Sequence, residues 1–236
     1  MPYRFTYGTI EKHRDCDNIL LHIFALRYQV YINEWNFESA GDHPDGLEHD
    51  EFDDHSVHIY ASSDETNEVI GSIPLILDSE FGFPIERHFD IPELPAEINR
   101  SSIGEISRLA VSKEYRRRAI DLKIFGAEQF ASNQVPWYMA KDLNIRRHCE
   151  HELVRGLYIA LYRDSKARGL KYWYAVMAKG LYIILKRWGI VFKQIGPARD
   201  YHGFRAPYLV NIESIERSLE KFDPVLYCDM RSGLMH

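Results

Sequence analysis

The order in which hydrophobic periodicity changes along the second half of the chain limits the fold more than any other feature. CEHELVRGLYIALYRDSKARG, from Cys149 to Gly169, sets Leu153, Leu157, Ala160 and Leu161 on one helical face and closes on a glycine. KYWYAVM then has strand character, KGLYIILKRWG is helical up to Gly189, VFKQIG and APYLVNI read as strands, and ESIERSLEKF is a last helix. That alternation predicts an α/β (α+β) chain with a central mixed sheet flanked by helices. Upstream, Asn18 to Ile32 carries apolar residues at helical spacing behind Asp17, which can cap it. SVHIYASS and EVIGSIPLILD, joined by the polar turn SDETN, predict a hairpin, and EISRLAV predicts a central strand. The proline-bearing stretch 79–103 predicts a structured excursion without long elements.

With 236 residues and 45% hydrophobic content the chain can bury a continuous core, and it reads as a single domain over 1–236. No run approaches the roughly eighteen apolar residues of a membrane span. The first residues lack the apolar region of a signal peptide, so the expected location is the cytoplasm. Cys16, Cys149 and Cys228 are odd in number and far apart, which argues against a disulfide framework or a Cys-x-x-Cys zinc cluster. His43, His49, His55 and His58 interleave with acids but lack the helical spacing of a zinc pair, so no metal is expected.

The net charge of −6 hides an asymmetry: residues 1–107 hold 6 basic against 22 acidic side chains, whereas 108–193 hold 18 against 7. A basic block in an acidic protein attracts an anionic partner, whether a phosphate-bearing ligand, a nucleic acid or an acidic protein. Nucleic acid is the weakest of these, because the acidic first half repels a polyanion and no nucleic-acid module is recognisable. Arg116, Arg117 and Arg118, extended by Arg146 and Arg147, can hold phosphate through side chains.

GEISRLAVSKEYRRR places Glu105 and Arg108 inside an apolar run that empties into those arginines. In a regular strand Glu105, Ser107 and Leu109 point one way and Ile106, Arg108 and Ala110 the other. Either a bulge rotates one of the charged pair, or each meets its own partner across the sheet. The loop GLEHDEFDDHSVH supplies Glu48, Asp50, Asp53 and Asp54, and Arg27 lies on the preceding helix. One reading is a clamp in which Arg27 and Arg108 fix carboxylates that hold an amine-bearing substrate. The plainer alternative is a solvated acidic loop beside a structural ion pair. Likewise Trp173, Tyr174, Met177, Leu181, Tyr182 and Leu185 either line an acyl pocket or pack in the core.

Arg27 with Tyr31, the Glu48-x-Asp50-x-Phe52-Asp53 segment, Gly71, and Glu105-Ile-Ser-Arg108 with Ala110-Val111 resemble, in order and spacing, the signature of acyl-homoserine-lactone (autoinducer) synthases. Those enzymes have the GNAT-like acyltransferase fold. FALRYQVYINEWNFE, HPDGLEHDEFDDHSVH, EISRLAVSKEYRRR and IGPARDYHGFRAPYLV more closely resemble the acyltransferases associated with PEP-CTERM/exosortase systems, relatives of the N-acyl amino acid synthases.

The resemblance implies transfer of a fatty acyl group from acyl carrier protein to the amine of an amino acid or similar small molecule. It implies no bound cofactor, with the acyl-phosphopantetheine of the carrier, or acyl-CoA, as co-substrate. On this reading Glu105 is the general base, Asp50 and Asp53 hold the amine, and Arg27 and Arg108 order the acids. Backbone amides beside Leu109 to Val111 meet the oxyanion. Trp35, Tyr201, His202 and Arg205 lie near the acceptor, while Val111, Arg116, Arg117, Arg118, Arg146 and Arg147 meet the donor or its carrier. Two departures stand out. The family's Gly-x-x-Arg is Gly71-Ser-Ile-Pro74 here, and a proline without an N–H predicts a bulge or an unpaired stretch. SKEYRRRA also lacks the glycine-rich turn that would cradle a pyrophosphate, which disfavours an ordinary coenzyme A acetyltransferase. A lactone synthase using S-adenosylmethionine and a non-catalytic acyl-carrier or lipid-binding module are the rival readings.

Overall fold

The computed structural model of the chain describes residues 5–11, 18–115 and 137–232. Strands β1 (Phe5–Glu11), β2 (Ser56–Ser63) and β3 (Val69–Leu77) form an antiparallel meander, and the last two are the predicted hairpin. The predicted strand EISRLAV is broken into β4 (Ile103–Ile106) and β5 (Ala110–Val111), both antiparallel to β3. β6 (Tyr172–Ala178) runs parallel to β4, and β9 (Phe204–Asn211) runs antiparallel to β6. Two short strands, β7 (Lys193–Gln194) and β8 (Arg199–Asp200), pair with β9. The expected mixed sheet flanked by helices is therefore present.

Helix α1 covers Asn18–Tyr28 and continues as a π-helical stretch over Gln29–Glu34. α2 (Pro84–His88) is the longest element of the predicted excursion, which also holds a 3₁₀ turn at Arg100–Ser102. α3 (Trp137–Ala167) begins well before the point where its apolar stripe becomes legible. α4 (Lys179–Arg187), α5 (Ile212–Phe222) and α6 (Pro224–Arg231) complete the chain. No helix among the described residues is long and apolar enough to cross a membrane.

Alternation along the strands separates two cores. On one face Leu153, Leu157 and Leu161 of α3 join Val57, Ile59, Ile73 and Leu75, with α5 and α6 adding Ile215, Leu219 and Leu226. Gly71 lets α3 lie this close, since a Cβ there would stand 3.2 Å from the Leu157 side chain. On the other face Ile76, Ile103 and Tyr174 pack with Phe52, Phe83 and Ile85, and α1 inserts Leu20, Ile23 and Phe24 beside them as a separate cluster. The acidic half of the sequence thus covers one side of the sheet, and the candidate site lies there.

Candidate active site

A one-residue irregularity builds the site. β3 pairs Leu75 with Ile106 but Ser72 with Ala110, so Ile73 and Pro74 face Ser107, Arg108 and Leu109. That is a β-bulge. Pro74 supplies its physical reason. Its carbonyl accepts a hydrogen bond from the Ser107 amide at 3.1 Å, and its N–H, had it one, would point to the same side. The missing donor frees the facing strand to bulge, so the irregularity expected at Pro74 falls on its neighbour. Arg108 takes φ of +39°, a costly region for a side-chain-bearing residue. As a result Glu105 and Arg108 line one pocket together, which a regular strand would forbid.

Glu105 sits between Ile76 of β3 and Tyr174 of β6 and is 2% exposed. Its Oε2 accepts a hydrogen bond from the Ile85 amide at 2.9 Å. α2, which carries that amide, is held by a bidentate Glu86–Arg100 pair at 2.5 and 2.6 Å and by Arg100 to Asp78 at 2.7 Å. Burial pushes the Glu105 carboxyl up to about 8, and the Ile85 amide only partly opposes this. The group therefore exchanges its proton near neutral pH, as a general base or acid must.

Beside it lies a second, differently built set of charges. Arg27, fully buried near the end of α1, donates to Glu48 through Nε and to both oxygens of Asp53 at 2.6 and 3.1 Å. Arg108 places its Nε 3.2 Å from Glu48 and donates to Asp50 through Nη2. Glu48 thus joins the two arginines. Asp50 also starts the 3₁₀ turn Glu51–His55, accepting from the Phe52 amide at 2.9 Å while its own amide donates to Asp53 at 2.8 Å. Burial alone would raise the Asp53 carboxyl, but the Arg27 guanidinium holds it down at about 2. Arg27, Asp50 and Asp53 stand one step behind Arg108 and do not line the pocket wall.

Tyr201, His202 and Arg205 do line it, the first two presented by the turn between β8 and β9, where His202 and Gly203 take φ of +51° and +91°, and the third by β9 itself. Trp35 stacks on Phe37 at 5.9 Å, and Phe37 meets both the His202 ring and the Arg205 guanidinium, so Trp35 is one ring removed from the cavity. Val111 is buried and pairs with Gly71. Arg146 and Arg147 fall on α3, while Arg116, Arg117 and Arg118 lie outside the described residues. The structure adds His88, whose ring is 4.6 Å from Tyr201, Glu38, and the Tyr31 hydroxyl, which donates to the Leu109 carbonyl at 3.0 Å. No local pattern marks His88 or Glu38, because only the tertiary fold brings them to Glu105.

The pocket, about 60 Å³, opens beside a larger cleft of about 170 Å³ that shares Tyr31, Arg108 and Arg205 with it. The cleft exists because β4 leaves β6 after the Ile106–Ala175 pair: β5 stays with β3 while β6 continues against β9. Met177 and Leu181, two of the predicted acyl liners, face this cleft with Leu109, Tyr158 and Val176. The others serve packing. Trp173 is buried and donates to Ser165 at 2.9 Å, Leu185 is buried in the same core, Tyr174 packs on Phe83, and Tyr182 stacks on Tyr208.

A mixed sheet that parts between two parallel strands, with a pocket at the opening, is the fold of the GNAT acyltransferases. A family model described as an acetyltransferase (GNAT) domain matches residues 26–125, from the end of α1 through the bulge. Among solved structures, the acyl-homoserine-lactone (AHL) synthase LasI is similar at a TM-score of 0.59 and 15% identity, covering 89% of this chain and 91% of its own. BjaI, a CoA-dependent acyl-homoserine lactone synthase solved with SAM and isopentyl-CoA, gives 0.59 and 17% over 98% and 100%. FeeM, an N-acyl amino acid synthase from uncultured soil microbes, gives 0.51 and 12% over 93% and 97%. At such identities the likeness establishes the fold. No curated protein sequence matches the chain significantly.

Proposed function

We propose that the protein is an N-acyltransferase that moves a fatty acyl group from the phosphopantetheine thioester of acyl carrier protein to the amine of an amino acid or similar small molecule. The observation that carries this reading is Glu105: a buried carboxyl, titrating at about 8, on the wall of a pocket that opens into a cleft in the sheet. An α-amino group with a pKa of about 7.7 to 8.0 must lose a proton before it can attack a thioester. Glu105 accepts that proton, directly or through water, as the nitrogen forms a bond to the thioester carbon. Collapse of the tetrahedral adduct breaks the carbon–sulfur bond and releases the thiolate, which takes up the proton held by Glu105, while the nitrogen sheds its remaining extra proton to water. Amides near Leu109 to Val111 are the proposed oxyanion donors.

In this proposal Arg27, Asp50 and Asp53 position Arg108 and the acidic loop, and do not hold the amine themselves. The cleft supports an acyl-pantetheine donor, because the edge of β6 beyond Ala175 can pair with an extended amide-bearing arm much as a strand adds to a sheet. The basic block of 108–193 supports an acidic carrier as the bearer of that arm, with Arg116, Arg117, Arg118, Arg146 and Arg147 steering it. The resemblance of the motifs to those of acyltransferases associated with PEP-CTERM/exosortase systems is in keeping with the same assignment.

The test is incubation with acyl-loaded carrier protein, and separately with acyl-CoA, in the presence of an amino-acid pool and S-adenosylmethionine, followed by mass spectrometry. N-acyl amino acids from the carrier are expected. A lactone formed only with S-adenosylmethionine would reassign the protein as an autoinducer synthase, and tight carrier binding without any product would make it a binding module.

A further inference from the structure

We infer that Arg205 binds the carboxylate of the acceptor, so that the pocket selects amines that also carry a carboxylate over simple amines. This deepens the N-acyltransferase reading and rests on it. Arg205 is the second residue of β9, level with Ala178 of β6. Along β9 it shares a sheet face with Pro207 and Leu209, and across the registers that face is the one bearing Val176, Tyr174 and Glu105. Glu105 and Arg205 therefore reach the pocket from one sheet face, on the strands either side of β6, one able to take a proton and the other permanently positive.

The neighbouring guanidinium groups all have carboxylates. Arg108 has Asp50 and Glu48, Arg27 has Glu48 and Asp53, Arg87 has Glu51, Arg100 has Glu86 and Asp78, and Arg199 has Asp90. Arg205 has none within 4 Å among the described residues. Its guanidinium lies 5.2 Å from the Phe37 ring centre, and its Nε is buried without a hydrogen-bond partner. Glu38, the other acid on this wall, is 2.8 Å from His43. The guanidinium is half-buried, and the buried Nε left without an acceptor costs free energy that a bound carboxylate recovers with matching geometry.

The phosphate of a pantetheine donor does not fit this position, since it lies at the far end of the arm from the thioester that must reach Glu105. The remaining anions are the acceptor's carboxylate and the oxyanion of the adduct. A zwitterionic acceptor satisfies both groups at once, its carboxylate on Arg205 and its amine toward Glu105, with the open side of the pocket leading to the donor cleft.

The deciding experiment offers the enzyme and an acyl-carrier thioester a set of free amino acids and the matching amino-acid amides, and compares kcat/KM by product mass spectrometry. The wild type should prefer each acid over its amide by on the order of 10- to 100-fold, because the amide leaves the half-buried Arg205 cation without an anion. Arg205→Gln should collapse that ratio to within a few-fold, mainly through KM for the acids, and Arg205→Lys should keep part of it. Equal wild-type rates for acids and amides overturn the inference and need no variant. So does a Gln variant that slows both classes alike and keeps their ratio, which is the signature of an oxyanion role. Product from both classes without preference sinks only this inference. Product from neither sinks the acyltransferase reading and takes the inference with it.

Discussion

Asp53 and Glu105 are carboxylates of nearly equal burial, 1% and 2% exposed, on the same side of one sheet, yet the first titrates at about 2 and the second at about 8. Burial penalises the charge on both. The difference is the partner: Asp53 receives a bidentate guanidinium from Arg27, whereas Glu105 receives one backbone amide from Ile85. A paired buried acid is a structural post that keeps its charge, while an unpaired one is a proton acceptor held close to neutrality.

The sharpest way to break the contrast is to remove the paired cation. Arg27→Leu leaves Asp53 and Glu48 buried with Arg108 as the remaining guanidinium beside Glu48, and should cost about 3–5 kcal/mol of stability in urea unfolding. A loss below about 1 kcal/mol would show that the network does not depend on Arg27. Next, Glu105→Gln keeps the shape and the Ile85 contact but removes the proton acceptor. Turnover should fall about 100- to 1000-fold with carrier binding intact, and unchanged turnover would take Glu105 out of the chemistry.

The two carboxylates should also bend stability in opposite directions with pH. Glu105 holds its proton more tightly folded than unfolded, so its contribution is full at low pH and is lost as pH rises toward 8. Glu105→Gln should therefore gain about 2 kcal/mol on the wild type between pH 6 and 8, read from urea midpoints. If the gap between variant and wild type is flat with pH, the carboxyl is not raised. Asp53 is depressed, so its contribution is present at neutral pH and lost as pH falls through the ordinary carboxylate range toward 2. The deficit of Asp53→Asn against wild type should shrink by about 1–2 kcal/mol between pH 6 and pH 2.5, and a deficit that stays constant would deny the Arg27 pairing its electrostatic role.

Much of this was legible in the chain. The hairpin, the alternation after Cys149 and the helix of Arg27 follow from apolar spacing, which is a local property of consecutive residues. Glu105 and Arg108 stood out because charge inside an apolar strand is costly without a purpose. β1 was not legible, its pattern being interrupted at Gly8, where a Cβ would strike the Tyr60 ring. The start of α3 was missed because its apolar stripe becomes regular only near Cys149.

By itself the sequence determined the order of elements, the charge asymmetry and the residue types of the site, since periodicity and composition are written along the chain. Only the tertiary structure decided that one missing N–H at Pro74 faces a bulge that turns Arg108 toward Glu105's pocket. It also decided which acid would keep its charge, and that Arg205 would stand in the pocket with no carboxylate against it among the described residues. Proton affinity and ion pairing are sums over neighbours, and the neighbours of Glu105 and Arg205 come from segments far apart in the chain.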